Sequence, residues 1–209
     1  MEGGAVSPQS ESGEGRALEG DGTKDNPYKI ATAEELRAFA KKVNDTSGQY
    51  TDIDAVLTAD IDLSSVCSEE KGTWTPIGNI ESTAYTGTFD GNGKTISGLY
   101  ISSNADYRGL FGYVGTGGTV QNLSVSGSVS GGRHVGGVVG YNDGGRVENC
   151  YNTGSVTSSV GPVGGVVGYN SSIGSVKNCY NTGSVTSSGS LVGGVVGYND
   201  GGSVTNSYN

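Results

Sequence analysis

The chain carries 39 glycines in 209 residues, with 4 prolines and 33% hydrophobic residues, against a usual glycine share of roughly 7%. Collagen needs glycine at every third position with abundant proline, and a disordered linker does not place valines and tyrosines at fixed intervals, so both are excluded. A net charge of -9, from 12 basic and 21 acidic residues, argues against a nucleic-acid partner, which calls for clustered Lys and Arg.

Residues 1–20, MEGGAVSPQSESGEGRALEG, form an acidic, glycine-rich stretch expected to be a flexible leader. It lacks the basic and apolar regions of a secretory signal, and nowhere does the chain hold 18 consecutive apolar residues, so no membrane insertion is expected. Residues 21–52 read as a capping segment. Thr32-Ala-Glu-Glu35 has the spacing of a capping box, in which the threonine hydroxyl and the glutamate cover free amides at a helix start. Leu36, Phe39, Ala40 and Val43 follow at helical spacing, which predicts a helix over about residues 33–44 that covers the first open coil of what comes next.

Residues 53–108 supply irregular strand-and-turn units: IDAVLTADIDL, TWTPIG, TGTFDGNGKTI and SGLYI. Asp90-Gly-Asn-Gly93 reads as a type I′ turn joining TGTF to KTI, since Asn-Gly accepts positive φ. It does not continue as a calcium loop, because Ile101 stands where the twelfth-position glutamate belongs. Asp60 and Asp62 alternate to the same side of a strand, and a half-exposed edge explains them as well as a cation does.

Residues 109–209 are an internal repeat. GLFGYV at Gly109 recurs as GVVGYN at Gly137, Gly165 and Gly194, in steps of 28, 28 and 29 residues. Tyr113, Tyr141, Tyr169 and Tyr198 align, as do Val120, Val147, Val176 and Val204, and Asn122, Asn149, Asn178 and Asn206. The apolar runs are short, rich in β-branched residues and separated by Gly, Asn, Ser and Asp, which predicts strands and corners and excludes helical repeats. The expected fold is all-β: a right-handed parallel β-helix with coils of about 28 residues and an N-terminal α-helical cap. Equivalent residues then lie about 4.8 Å apart and form ladders. Leu110, Val138, Val166 and Val195 are expected to fill the interior, the Asn122 column to bond amide to amide, and Cys150 and Cys179 to be buried thiols.

The functional candidates are few. Three cysteines, Cys67, Cys150 and Cys179, fit neither a zinc site nor a paired framework, and the one histidine, His134, reads as an exposed corner. Asp143 and Asp200 lie two coils apart, about 10 Å by coil spacing, and read as solvated turn residues rather than a hydrolytic pair. The glycines of GGVVG lack the helix and Lys-Ser/Thr pair of a phosphate loop. No catalytic residue, metal site or cofactor is expected. The binding candidate is aromatic: Tyr151, Tyr180 and Tyr208 should point outward as a ring ladder, rimmed by Asn152, Asn181 and Asn209, suited to a sugar or a protein. The alternative is that their stacking only stabilises the coils.

The blocks GTKDNPYKIATAEELRAFA, LTADIDLS, WTPIG, YTGTFDGNGKTISGLYI and the GGVVGYN/NCYNTGSV coils resemble bacterial surface proteins with GLUG repeats, over about residues 21–209. The resemblance implies a secreted or cell-surface, adhesin-like module, and is shared with the non-catalytic leading region of some IgA-specific metalloendopeptidases. Their HExxH zinc motif is absent from this sequence. The expected role is therefore non-catalytic adhesion, ligand binding or spacing, with a host or bacterial surface glycan or protein as partner. Alternatives are a polysaccharide-acting β-helix enzyme and the accessory region of a larger surface metallopeptidase. With no export signal, no anchoring tail and a last coil stopping at Asn209, the chain reads as a fragment. Its open C-terminal coil is expected to associate end to end.

Overall fold

A computed structural model describes residues 18–171 and 173–209. The leader expected over residues 1–20 falls, through residue 17, outside them. The first regular elements are the strand Tyr28–Ile30 and the helix Ala33–Val43. Both halves of the capping box form: the Thr32 hydroxyl accepts from the Glu35 amide at 3.2 Å, and the Glu35 carboxylate accepts from the Thr32 amide at 3.2 Å. The helix stops one residue short of the expected end, with Asn44 as its C-terminal cap. Its apolar stripe is buried, and Phe39 meets the rings of Tyr28, Tyr85 and Phe89 at centroid distances of 6.4, 6.1 and 5.9 Å. The helix thereby closes the interior at the first coils.

The rest is a parallel β-solenoid with three sheets along its length. One follows the order Tyr28–Ile30, Ala55–Leu57, Thr88–Ser102, Thr119–Gly131, Arg146–Asn152, Ser175–Lys177 and Ser203–Thr205. A second stacks Phe111–Val114, Val139–Asn142, Val167–Asn170 and Val196–Asn199, and a third stacks Val135–Gly136, Val163–Gly164 and Val192–Gly193. All these pairings are parallel, with Tyr113 against Tyr141, Tyr141 against Tyr169, and Tyr169 against Tyr198. The repeat period of the sequence is therefore one turn of the solenoid.

The corners follow from residue type. Between the second and third faces the chain folds so tightly that a Cβ on Gly164 would lie 2.1 Å from the Val167 carbonyl oxygen, so only glycine fits. At another corner Asn122, Asn149, Asn178 and Asn206 take φ of 55°, 52°, 53° and 48°, the left-handed region that asparagine tolerates. This bend lets Val147 and Cys150, an odd interval apart, both face inward. The interior column Leu110, Val138, Val166 and Val195 is buried as expected, each side chain contributing about 1.5–3 kcal/mol. Cys150 and Cys179 are buried free thiols in neighbouring coils, and burial pushes the Cys150 thiol well above its ordinary range.

Asp90-Gly-Asn-Gly93 corrects one expectation. Asn92 and Gly93 do take positive φ, 50° and 73°. Yet Thr88–Asp90 and Lys94–Ile96 both pair in parallel with the next coil, against Thr119–Gln121 and Leu123–Val125. The chain bends there and runs on, so no hairpin forms. Asp90 instead founds the asparagine ladder of that corner, accepting from the Asn122 amide group at 3.0 Å and from Gln121 at 3.0 Å.

Candidate functional site

Tyr151, Tyr180 and Tyr208 stand in line on the outer flank, each following an inward residue and so turned outward by strand alternation. Rings of Tyr151 and Tyr180 stack at 4.6 Å and 6°, those of Tyr180 and Tyr208 at 5.3 Å and 5°. Stacked this way they cover one another's faces and present edges and hydroxyls, and Tyr208 alone is as much as 65% exposed.

The expected amide rim is not there. Alternation that turns Tyr151 out turns Asn152 in, and Asn152 and Asn181 are only 2% and 0% exposed. Asn152 Nδ2 donates to Asn181 Oδ1 at 2.8 Å and to the Gly154 carbonyl at 2.9 Å, and Asn181 Nδ2 donates in turn to Asn209 Oδ1 at 2.7 Å. Asn152 and Asn181 thus form an interior ladder that no partner reaches, and of the three expected rim amides Asn209 at its end is exposed. A parallel interior ladder runs from Asn142 to Asn170 and from Asn170 to Asn199, at 2.8 and 2.7 Å. Position 114, which pairs with Asn142, is valine, so nothing donates to Asn142 Oδ1 and it is left buried without a partner. The third ladder, at the left-handed corner, lies on the surface and runs the other way: Asn178 donates to Asn149 at 3.0 Å, and Asn149 to Asn122 at 2.9 Å.

A second aromatic flank joins residues that the sequence aligned but gave no role. Tyr113, Tyr141 and Tyr169 stack at 4.8 and 4.6 Å, and Tyr198 follows, tilted by 47°. Tyr107 stacks on His134 at 5.3 Å and 9°, and the imidazole sets its edge to Tyr141 and Tyr169. His134 is therefore half-buried among rings, not an exposed corner, and burial holds its pKa below the ordinary 6.5. Here the hydroxyls are engaged: Tyr113 donates to Asp143 Oδ2 at 2.9 Å and Tyr169 to Asp200 Oδ2 at 2.8 Å. Burial, reinforced by these carboxylates, raises both phenols far above their usual range. Asp143 and Asp200 are thus acceptors for the preceding coil's ring, pairings 30 and 31 residues long that spacing alone does not reveal.

The early carboxylates are also occupied. Asp60 Oδ1 accepts from the Thr95 amide at 2.8 Å, and Asp62 accepts from the Ser64 amide and hydroxyl at 2.9 Å. The Ser64 bonds hold Asp62 below the usual carboxylate range. Among the described residues no three His, Cys, Asp or Glu side chains converge on one point.

Residues 131–157, 163–186 and 188–209 match the GLUG motif, so these coils of the solenoid are GLUG repeats. The chain is 37% identical over 145 residues to a halomucin from Haloquadratum walsbyi, across 67% of its own length and 2% of that protein. It is 38% identical over 109 residues to a "Putative Gly-rich membrane protein" from Evansella cellulosilytica, across 52% of its own length and 12% of that protein. It thus spans a small part of either relative. A crystal structure from Bacteroides ovatus, described as a "putative immunoglobulin A1 protease", superposes with a TM-score of 0.65 at 23% identity, over 89% of this chain and 66% of that one. The fold is shared with that structure.

Proposed function

We propose that this chain is a non-catalytic, extracellular module of a surface protein, a stiff β-solenoid that holds a binding flank away from the cell. The single observation that carries the reading is the Tyr151–Tyr180–Tyr208 ladder: in-register rings whose hydroxyls have no acceptor among the described residues, unlike Tyr113 and Tyr169 on the other flank. Rings repeating at centroid distances of 4.6–5.3 Å carry hydroxyls that offer donors and acceptors to a surface glycan or protein. With ring faces covered, contact falls to hydroxyls and ring edges.

The test is a glycan array and a panel of surface proteins probed with the wild type and with Tyr180→Phe, which keeps the stack and removes one central hydroxyl. Loss of roughly tenfold in affinity at unchanged stability supports the flank as the binding surface. Equal binding by both would reduce the ladder to a structural spine and leave the spacer role. A second reading, the accessory region of a larger surface peptidase, is favoured by the likeness to the Bacteroides ovatus structure. A zinc-peptidase motif elsewhere in the parent gene decides for it.

A further inference from the structure

The helix Ala33–Val43 meets the early coils around a half-open cavity of about 320 Å³. Its inner wall is apolar, made by Ala40 from the helix and by Val66 and Trp74 from the coils, with Ala40 and Trp74 only 3% and 2% exposed. Arg37 and Lys41 also line it and are exposed to solvent. The cavity is large enough for one small ligand.

Its walls are fixed in advance. The Trp74 indole N–H donates to the Leu110 carbonyl at 3.2 Å and its amide to the Tyr100 carbonyl at 2.8 Å, which holds the ring in place. Asn44 stitches the helix end to the coil, Nδ2 donating to the Pro76 carbonyl at 2.8 Å and Oδ1 accepting from the Asn79 amide at 3.1 Å. A site whose walls are already ordered loses little freedom when it is filled.

The charge at its rim is out of keeping with the chain. In a protein of net charge -9, Arg37 and Lys41 stand one helical turn apart, where like charges repel. Neither is paired: among the described residues the one ion pair joins Lys29 and Glu19. The neighbouring Lys42 is turned elsewhere, 3.9 Å above the Tyr50 ring. A second cavity of about 300 Å³ offers no such rim, since its lysine is that same Lys29.

We infer that this cavity binds a small ring-bearing carboxylate, its carboxylate held between Arg37 and Lys41 and its ring set against Val66 and the accessible edge of Trp74. An anion there relieves the repulsion between the two cations while the ring covers apolar surface. The site is separate from the tyrosine flank, and neither depends on the other.

The chain has a single tryptophan, so its fluorescence reports this wall alone. Benzoate and glucuronate are titrated beside their uncharged counterparts, benzyl alcohol and glucose. At least one carboxylate is expected to change Trp74 emission saturably below about 10 mM, at least tenfold more tightly than its counterpart. The double variant Arg37→Ala/Lys41→Ala should weaken that response about tenfold or more with an unchanged melting temperature, since both side chains are exposed. Arg37→Gln alone, which keeps most of the stem, is the second variant, and an intermediate loss is expected. No saturable change with either carboxylate, or equal responses from the neutral compounds or from the double variant, would overturn the assignment.

Discussion

Asparagine does three different jobs in this molecule, and its surroundings decide which. At the surface corner it tolerates a left-handed backbone and passes an amide bond to the previous coil, ending on Asp90, which only accepts. In the two interior ladders it satisfies tight-corner carbonyls that no water reaches. Asn149 separates these contributions. Asn149→Ala loses two ladder bonds and adds left-handed strain, so it should cost about 2 kcal/mol, whereas Asn149→Gly removes the same bonds without strain and should cost about 1 kcal/mol. Urea unfolding of the two variants checks the difference, and equal losses would mean that the backbone conformation contributes nothing. The column of Asn122 was legible because the same residue recurs at one register. The fate of Asn152 and Asn181 was legible as well, since placing Cys150 inward already turns the residue two positions on inward. The partners of the tyrosine hydroxyls were not, because Asp143 and Asp200 reach them only across a coil boundary.

At the scale of elements, local chemistry states which backbone angles a segment can take, and the pairing of distant strands decides what those angles accomplish. The helix could be read directly, since capping box and apolar stripe agree and both are local. Asp90-Gly-Asn-Gly93 could not, because positive φ at Asn-Gly serves a reversal or a bend equally, and parallel pairing with Thr119–Gly131 selects the bend. The helix ought to open independently of the coils if its role is to cover them. Thr32→Ala removes the hydroxyl that accepts from the Glu35 amide and should cost about 1 kcal/mol. Hydrogen exchange should quicken in residues 33–43 and stay unchanged in Val139–Asn142 and Val167–Asn170. Uniform quickening along the chain would instead show one cooperative unit in which the helix is no separate cover.

At the scale of the whole molecule, the two ends of the described coils differ. One end is covered by the helix and its buried Phe39. At the other, each of the three sheets finishes on an edge strand, Ser203–Thr205, Val196–Asn199 and Val192–Gly193. Apolar side chains are bare there: Leu191 at 46%, Val192 at 49%, Val204 at 40% and Tyr208 at 65% exposed. Edge strands with uncovered valines are templates for another chain. We propose that, for this stretch of chain taken alone, a second copy meets that end with its own equivalent end about a two-fold axis, giving a dimer instead of a filament. Sedimentation velocity at rising concentration should therefore show monomer passing to dimer and nothing larger. Leu191→Lys with Val204→Lys places like charges across that axis and should weaken dimerisation at least about tenfold, or 1.4 kcal/mol. A wild type that stays monomeric at every concentration would defeat the argument, and so would a ladder of higher oligomers, since those require the helical end to be adhesive too.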